Sequence, residues 1–209
     1  MRIALFGSTG RIGRRILNEA LARGHQVTAI VRDASTMHDN NKNLEFKTGD
    51  VLKAESVAVA TKGADVVISA YGPGAGDANQ IASAAKSLVE GLNANHTARL
   101  LVVGGAGNLQ VSPGVQLLDT PGFAAYKKLA LAHRKSMEIL KKSSLDWTYV
   151  VPSAEINEGT RTGRYRTGHD GLLVDQTGKS HISMEDFAVA LLDEVEKPQF
   201  SHACFTVGY

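Results

Sequence analysis

The feature that most constrains this chain lies in its first thirteen residues. An apolar run, Ile3-Ala4-Leu5-Phe6, ends at Gly7-Ser8-Thr9-Gly10-Arg11-Ile12-Gly13. Apolar residues then recur at Ile12, Ile16, Leu17, Ala20 and Leu21, one face of a helix. The order is buried strand, glycine turn, helix. Gly7 lets the chain turn sharply out of the strand. Gly10, without a Cβ, leaves room for a pyrophosphate against the backbone, and Gly13 lets the helix pack closely on the sheet. The free N–H groups and dipole of the helix start favour an anion there. The spacing is GxxGxxG rather than GxGxxG, and its place between a strand and a helix makes it a dinucleotide signal.

The rest of the chain repeats the unit. Strands are expected at Val27–Val31, Leu44–Lys47, Ala64–Ala70 and Arg99–Val103, with helices at Lys53–Thr61 and from Asp77 to about Asn93. The second half is less regular. Asn108 to Ala125 has two prolines and no periodicity, as a functional loop would. A helix is expected from Tyr126 to Lys142, a sixth strand at Trp147–Val151, and strand-like pieces at Tyr165-Arg166 and Leu172-Leu173-Val174. Ser183-Met184-Glu185-Asp186 starts a last helix as a capping box does, and Cys204–Val207 makes a final strand. Alternation of strands and helices predicts an α/β fold. It is a single Rossmann-like domain over residues 1–209, with a doubly wound parallel sheet, helices on both faces and a small C-terminal extension on the substrate side.

Composition excludes several classes. A net charge of +2 over 209 residues, with no block of like charge, argues against a nucleic-acid or membrane surface. No apolar stretch has the length of a membrane span, and one cysteine, Cys204, suits a reducing compartment, so a cytoplasmic protein is expected. Seven scattered histidines show no ligand spacing and no G-x-S-x-G elbow is present, so neither a metal site nor a hydrolase is expected. His133 is expected at the surface.

The second strand ends in Arg32, and Arg11 follows the second motif glycine. Two guanidiniums near one adenosine 2′-phosphate favour NADP(H), with NAD(H) as the alternative. Asp33 is either a ribose-binding acid one residue late or a cap for Ala34–Met37. Asp50, after the third strand, either meets the adenine amino group or caps the following helix.

These stretches also carry a resemblance. GSTGRIG, VRD, TGDV, VVGGAG, DWTYVVPS and the tail from TGRYRTGHDG to FTVGY resemble the atypical short-chain dehydrogenases. The nearest group is the NAD(P)H-binding proteins called NADH-flavin reductases, related to biliverdin reductase B. The resemblance spans essentially the whole chain. It implies a Rossmann fold with a dinucleotide across the strand ends and reduction of flavin-like or other small acceptors. On this reading the cofactor meets Gly7, Thr9, Gly10, Arg11, Ile12, Gly13, Arg32, Asp50, Val51, Ala70, Tyr71, Gly72, Gly104, Gly105 and Pro152. The acceptor meets Tyr71, Ala106, Ser153 and Ala154.

Ordinary short-chain dehydrogenases pair a tyrosine with a lysine one helical turn later and place a serine after the fifth strand. Here Tyr126 opens the expected helix, but the residue four on is Ala130, and the serine position reads Gly104-Gly105-Ala106. The serine of biliverdin reductase B-like proteins is missing too. Tyr126 is the one candidate catalytic residue, and its alternative is a plain core or lid aromatic. A flavin or quinone delocalises the charge it accepts and needs no dedicated phenol. Two functions follow: an NADPH-preferring reductase of a flavin- or quinone-like small molecule, monomeric or homodimeric, or a non-catalytic NADP(H)-binding redox sensor acting through a partner.

Overall fold

The computed structural model describes residues 1–95 and 99–209. The first half runs β1 (Arg2–Phe6), α1 (Arg11–Ala22), β2 (Gln26–Val31), β3 (Leu44–Thr48), α2 (Ala54–Ala60), β4 (Val66–Ser69), α3 (Gln80–Asn95) and β5 (Arg99–Val103). A small hairpin follows, β6 (Gln110–Ser112) and β7 (Val115–Gln116), then a 3-10 segment at Pro121–Tyr126 and α4 (Lys127–Lys141). The chain closes with β8 (Trp147–Pro152), β9 (Glu155–Asn157), β10 (Arg166–Gly168), β11 (His181–Ser183), α5 (Met184–Glu196) and β12 (Ala203–Gly208).

The main sheet has the order β10-β12-β8-β5-β4-β1-β2-β3. Every neighbouring pair is parallel except β10 on β12. The chain lays β1, β2 and β3 in one direction, then crosses back to β4 and proceeds the other way. The reversal falls between β1 and β4, where Phe6 stands opposite Ser69. This is a doubly wound, Rossmann-like α/β fold, and a crevice opens at such a switch point beyond the strand ends.

Both faces of the sheet are covered. Ile3, Leu5, Ile68, Leu101 and Val150 pack with α1 and α5; Ala4, Phe6, Val67, Leu100 and Val102 pack with α2, α3 and α4. Alternate strand residues thus enter two cores, which is why the strands read as unbroken apolar runs. Among the described residues, no helix is long and apolar enough to cross a membrane.

Four local expectations change. Tyr126 ends a 3-10 segment, and α4 starts at Lys127. Asp50 does not cap α2: the cap position is Lys53, and Asp50 Oδ1 accepts the Leu52 N–H at 3.0 Å instead. Leu172–Val174 is not a strand. The extension is built instead on a two-stranded parallel sheet, β9 and β11, pairing His181 with Glu155. Such three-residue strands have too little alternation to be seen in sequence. Ser183 does cap α5, accepting the Asp186 N–H at 3.0 Å.

Candidate functional site

The turn between β1 and α1 is shaped by two of its glycines. Gly7 has φ +79°, and a Cβ there would lie 2.5 Å from the Ala70 carbonyl oxygen, across the switch point. At Gly13 a Cβ would lie 2.0 Å from the Gly7 oxygen. Gly10 differs. Its φ of −73° is ordinary, and a Cβ would meet only the Gly7 oxygen, at 3.3 Å. The contact is tight but far milder than those at Gly7 and Gly13. Gly10 is the cap residue of α1, no side chain caps the helix, and its first turn holds no acid. Ser8 Oγ is buried in the same turn with no partner among the described residues. An uncapped helix start, a bare Cα and an orphaned hydroxyl fit the diphosphate of a dinucleotide.

Beside this turn lies a cleft of about 360 Å³. Gly7, Thr9 and Gly10 form its floor, Arg32, Asp50 and Val51 one side, and Ala70, Tyr71 and Gly72 the other. These are nine of the residues expected to hold the cofactor. The Tyr71 phenol donates to Gln80 Oε1 at 2.8 Å, which fixes the ring as a wall, and burial raises its pKa although Arg32 opposes the shift. Asp33 turns away: its Oδ1 accepts from the Ser35 N–H at 2.9 Å and the Ser35 hydroxyl at 2.6 Å. Those bonds hold its carboxyl below the usual range. It is the local cap, and Arg32 lines the cleft without it.

Arg11 does not join Arg32. Its side chain is 65% exposed, with Nε 4.0 Å from Glu158 in the C-terminal extension. Arg15, one turn on, reaches the same carboxylate at 3.0 Å and Glu185 at 3.0 Å. Ile12 packs toward the α1–α5 core.

At the end of β5 the geometry is different. A Cβ on Gly104 would sit 2.4 Å from the Tyr149 ring, and one on Gly105 would sit 2.8 Å from His133 Cδ2 and 3.2 Å from Nε2. His133 is therefore half-buried rather than a free surface histidine. It packs under the Gly104–Gly105 turn, with Nδ1 3.0 Å from the Tyr149 hydroxyl. That hydroxyl also donates to the His133 carbonyl oxygen at 3.1 Å. Burial lowers the imidazole pKa to about 4 and raises that of the phenol, so both are neutral at pH 7. Ala106 is buried, and Asn108 ties the turn to α4 by donating to the Ala130 carbonyl and accepting from Arg134. Sequence alone offered one hint of this pair: two glycines where the related enzymes have room for a side chain.

Tyr126 is 58% exposed, with its ring 5.3 Å from that of Phe123. Ala130, at the lysine position, is buried, and its Cβ is 2.4 Å from where a Cβ on Gly107 would be. Pro152 is buried at the end of β8. Ser153 is buried too and spends its hydroxyl on the Val207 carbonyl at 3.0 Å, so it offers no free hydroxyl to an acceptor. Ala154 is exposed, its N–H held by Ser180 Oγ at 3.1 Å.

Comparison with known proteins agrees with this geometry. A Burkholderia pseudomallei structure, described as a candidate exported protein, is 47% identical, with each chain wholly covered and a TM-score of 0.90. A candidate epimerase from Bacteroides thetaiotaomicron is 38% identical over 100% of this chain and 96% of that one, with a TM-score of 0.92. A candidate NADH-flavin reductase from Streptococcus pneumoniae is 31% identical over 100% and 99%, with a TM-score of 0.87. The uncharacterized protein YwnB of Bacillus subtilis (strain 168) is 39% identical, over 99% of this chain and 98% of its own length. Residues 7–198 match the NAD(P)H-binding family. With its glycine turn, its open helix start and this match along nearly all its length, the chain belongs to the NAD(P)H-binding family.

Proposed function

We propose that the protein is an NAD(P)H-dependent oxidoreductase, preferring NADPH, that reduces a flavin- or quinone-like small molecule. One observation carries the choice of acceptor. Ala130 is buried against Gly107 where a catalytic lysine would stand, so the exposed Tyr126 has no cation one turn away to acidify it. A ketone would leave an alkoxide that needs that proton. A conjugated acceptor spreads the charge and takes its proton from water. The bound dinucleotide supplies the hydride. The chain would supply orientation: the first turn of α1 would hold the diphosphate and Arg32 a 2′-phosphate, with Tyr71 walling the cleft and the Gly104–Gly105 turn closing the end of β5.

The test is NADPH and NADH oxidation, followed by absorbance, with free lumiflavin and with menadione. Turnover that favours NADPH supports the reading. Tight NADP binding without turnover across such acceptors overturns it in favour of a redox sensor. Turnover of simple ketones instead would show that Tyr126 acts without its lysine.

A further inference from the structure

A second cleft, of about 670 Å³, opens in the C-terminal extension and shares no residue with the one beside the glycine turn. One wall is the two-stranded sheet of β9 and β11, and the register sets what that wall presents. Ile156 pairs with Ile182, and both pack on the α1–α5 core. Glu155 beside His181, and Asn157 beside Ser183, therefore stand on the other face, and all four line the cleft. Ser183 is spent on capping α5, but Glu155 and Asn157 have no side-chain partner among the described residues. His181 is held by Asp175, whose Oδ2 lies 3.0 Å from Nε2. Asp175 Oδ1 accepts the Thr177 hydroxyl and N–H, both at 2.7 Å, and the Lys179 N–H at 3.0 Å. These bonds keep the Asp175 carboxyl well below the usual range. A carboxylate can only accept, so Nε2 carries the hydrogen, and in the neutral ring Nδ1 is left as an acceptor. The Tyr209 phenol donates to Asp186 Oδ2 at 2.6 Å, which fixes its ring as a side of the cleft, 5.1 Å from the imidazole.

The unspent groups are mixed. Glu155 and His181 Nδ1 accept, the exposed Lys179 donates, and Asn157 does both. An anion would meet Glu155, and an organic cation would meet Lys179. A hydroxyl donates and accepts through one atom, so a run of hydroxyls satisfies both kinds. The cleft also begins close to the strand ends. β8 ends at Pro152, and Glu155 lies two residues beyond Ser153, about 7 Å of extended chain. We infer that this cleft binds a run of hydroxyl groups, and that it takes the hydroxylated side chain of the acceptor while the ring stays at the strand ends. The site then favours a flavin that carries a ribityl chain over the bare ring system. The inference rests on the reductase reading for the identity of the ligand, and on the cleft alone for the hydroxyl groups it binds.

The test titrates the NADP-loaded protein with riboflavin and with lumiflavin, which lacks the ribityl chain, and follows flavin fluorescence. Wild type should bind riboflavin about tenfold tighter, the worth of one or two net hydrogen bonds. The double variant Glu155→Ala, Asn157→Ala removes two exposed side chains that no hydrogen bond ties to the fold. It should melt as wild type does, bind lumiflavin unchanged and lose most of the preference for riboflavin. In turnover with NADPH it should raise the riboflavin KM about tenfold and leave kcat within about twofold. Equal affinity of wild type for the two flavins, or a preference that survives the double substitution, overturns the inference. A preference that the double variant loses, without NADPH oxidation by wild type, supports the inference and overturns the reductase reading. If neither flavin binds, ribitol alone decides, followed by amide NMR shifts. Movement confined to residues 155–157 and 175–183 supports the cleft and overturns a flavin as its ligand; no movement overturns the inference.

Discussion

The glycines after β1 and those after β5 occupy equivalent places at strand ends, and they are glycines for opposite reasons. After β1, Gly7 and Gly13 let backbone meet backbone: the clashing atoms are the Ala70 and Gly7 carbonyls. Gly10 stands between them with one milder contact, 3.3 Å to the Gly7 oxygen. After β5, Gly104 and Gly105 make room for side chains, the ring of Tyr149 and the imidazole of His133. One end is a backbone cradle that any partner with a diphosphate can use. The other is a floor propped by two aromatic side chains, and its chemistry belongs to the residues beneath it. The turn after β1 is therefore shaped by backbone and the turn after β5 by side chains.

The sharpest way to break that contrast is at Gly13 and Gly10. Gly13→Val drives a carbon to 2.0 Å from the Gly7 carbonyl oxygen, and backbone cannot yield as a side chain can. We expect a variant that fails to fold, or melts more than about 10 °C lower, as an overpacking loss of several kcal/mol would give. Gly10→Val meets only a 3.3 Å contact. It should melt within a few degrees of wild type and lose NADPH affinity by about 100-fold or more, read by fluorescence titration. Equal damage to stability in the two would mean that Gly10 serves the fold and not a ligand.

Next come the arginines. Arg32→Ala should weaken NADPH about tenfold and leave NADH within about twofold, because a paired phosphate dianion is worth about 1.4 kcal/mol or more. Arg11→Ala should cost less, since Arg11 leans toward Glu158. Equal loss for the two cofactors in Arg32→Ala would show that this residue does not read the 2′-phosphate.

A smaller effect has the opposite sign. Glu158 holds a carboxylate 3.0 Å from Arg15 and 4.0 Å from Arg11, beside the helix start proposed to hold the diphosphate. It is an anion competing with an anion. Glu158→Gln should tighten NADPH about two- to threefold, in line with a screened surface charge. Looser binding would recast Glu158 as a strut between α1 and the extension. The smallest effect is expected at Tyr126. Tyr126→Phe should change turnover less than about threefold, against the 10²–10⁴ of a positioned acid, and Tyr126→Ala should cost more through the lost contact with Phe123. A phenylalanine variant as inactive as the alanine one would make Tyr126 an acid.

The same contrast explains what could be read in advance. The switch-point turn, the sheet and the cleft residues Arg32, Asp50 and Tyr71 were legible because local rules govern them: unbroken apolar runs, a glycine turn, a strand end beside a helix start. Asp33 as a local cap was also within reach, since its partner lies two residues away. His133 was not. Its partners are Gly105, in the turn after β5, and Tyr149, on β8, and nothing within one turn of α4 distinguishes it from a solvated histidine. Arg11 misled for the same reason, as its partner Glu158 arrives from the far end of the chain. Ser153 looked available because a buried hydroxyl bonded to the Val207 carbonyl is indistinguishable in sequence from a free one.

The packing of α1 on α5 joins the first helix of the chain to its last. Arg15 pairs with Glu185, Arg23 with Asp193 and Glu196, and His25 with Glu196. A chain emerging from the ribosome can close β1, β2, β3 and β4 early, but the apolar side of α1, with Ile16, Leu17 and Ala20, stays open until the last elements are synthesised. The glycine turn sits on the front of that helix. If that contact sets the helix, the N–H groups of the turn reach their final placement only when α5 packs on α1. Amide hydrogen exchange during refolding should show it: protection in β1 and β4 first, and protection in α1 rising in step with α5.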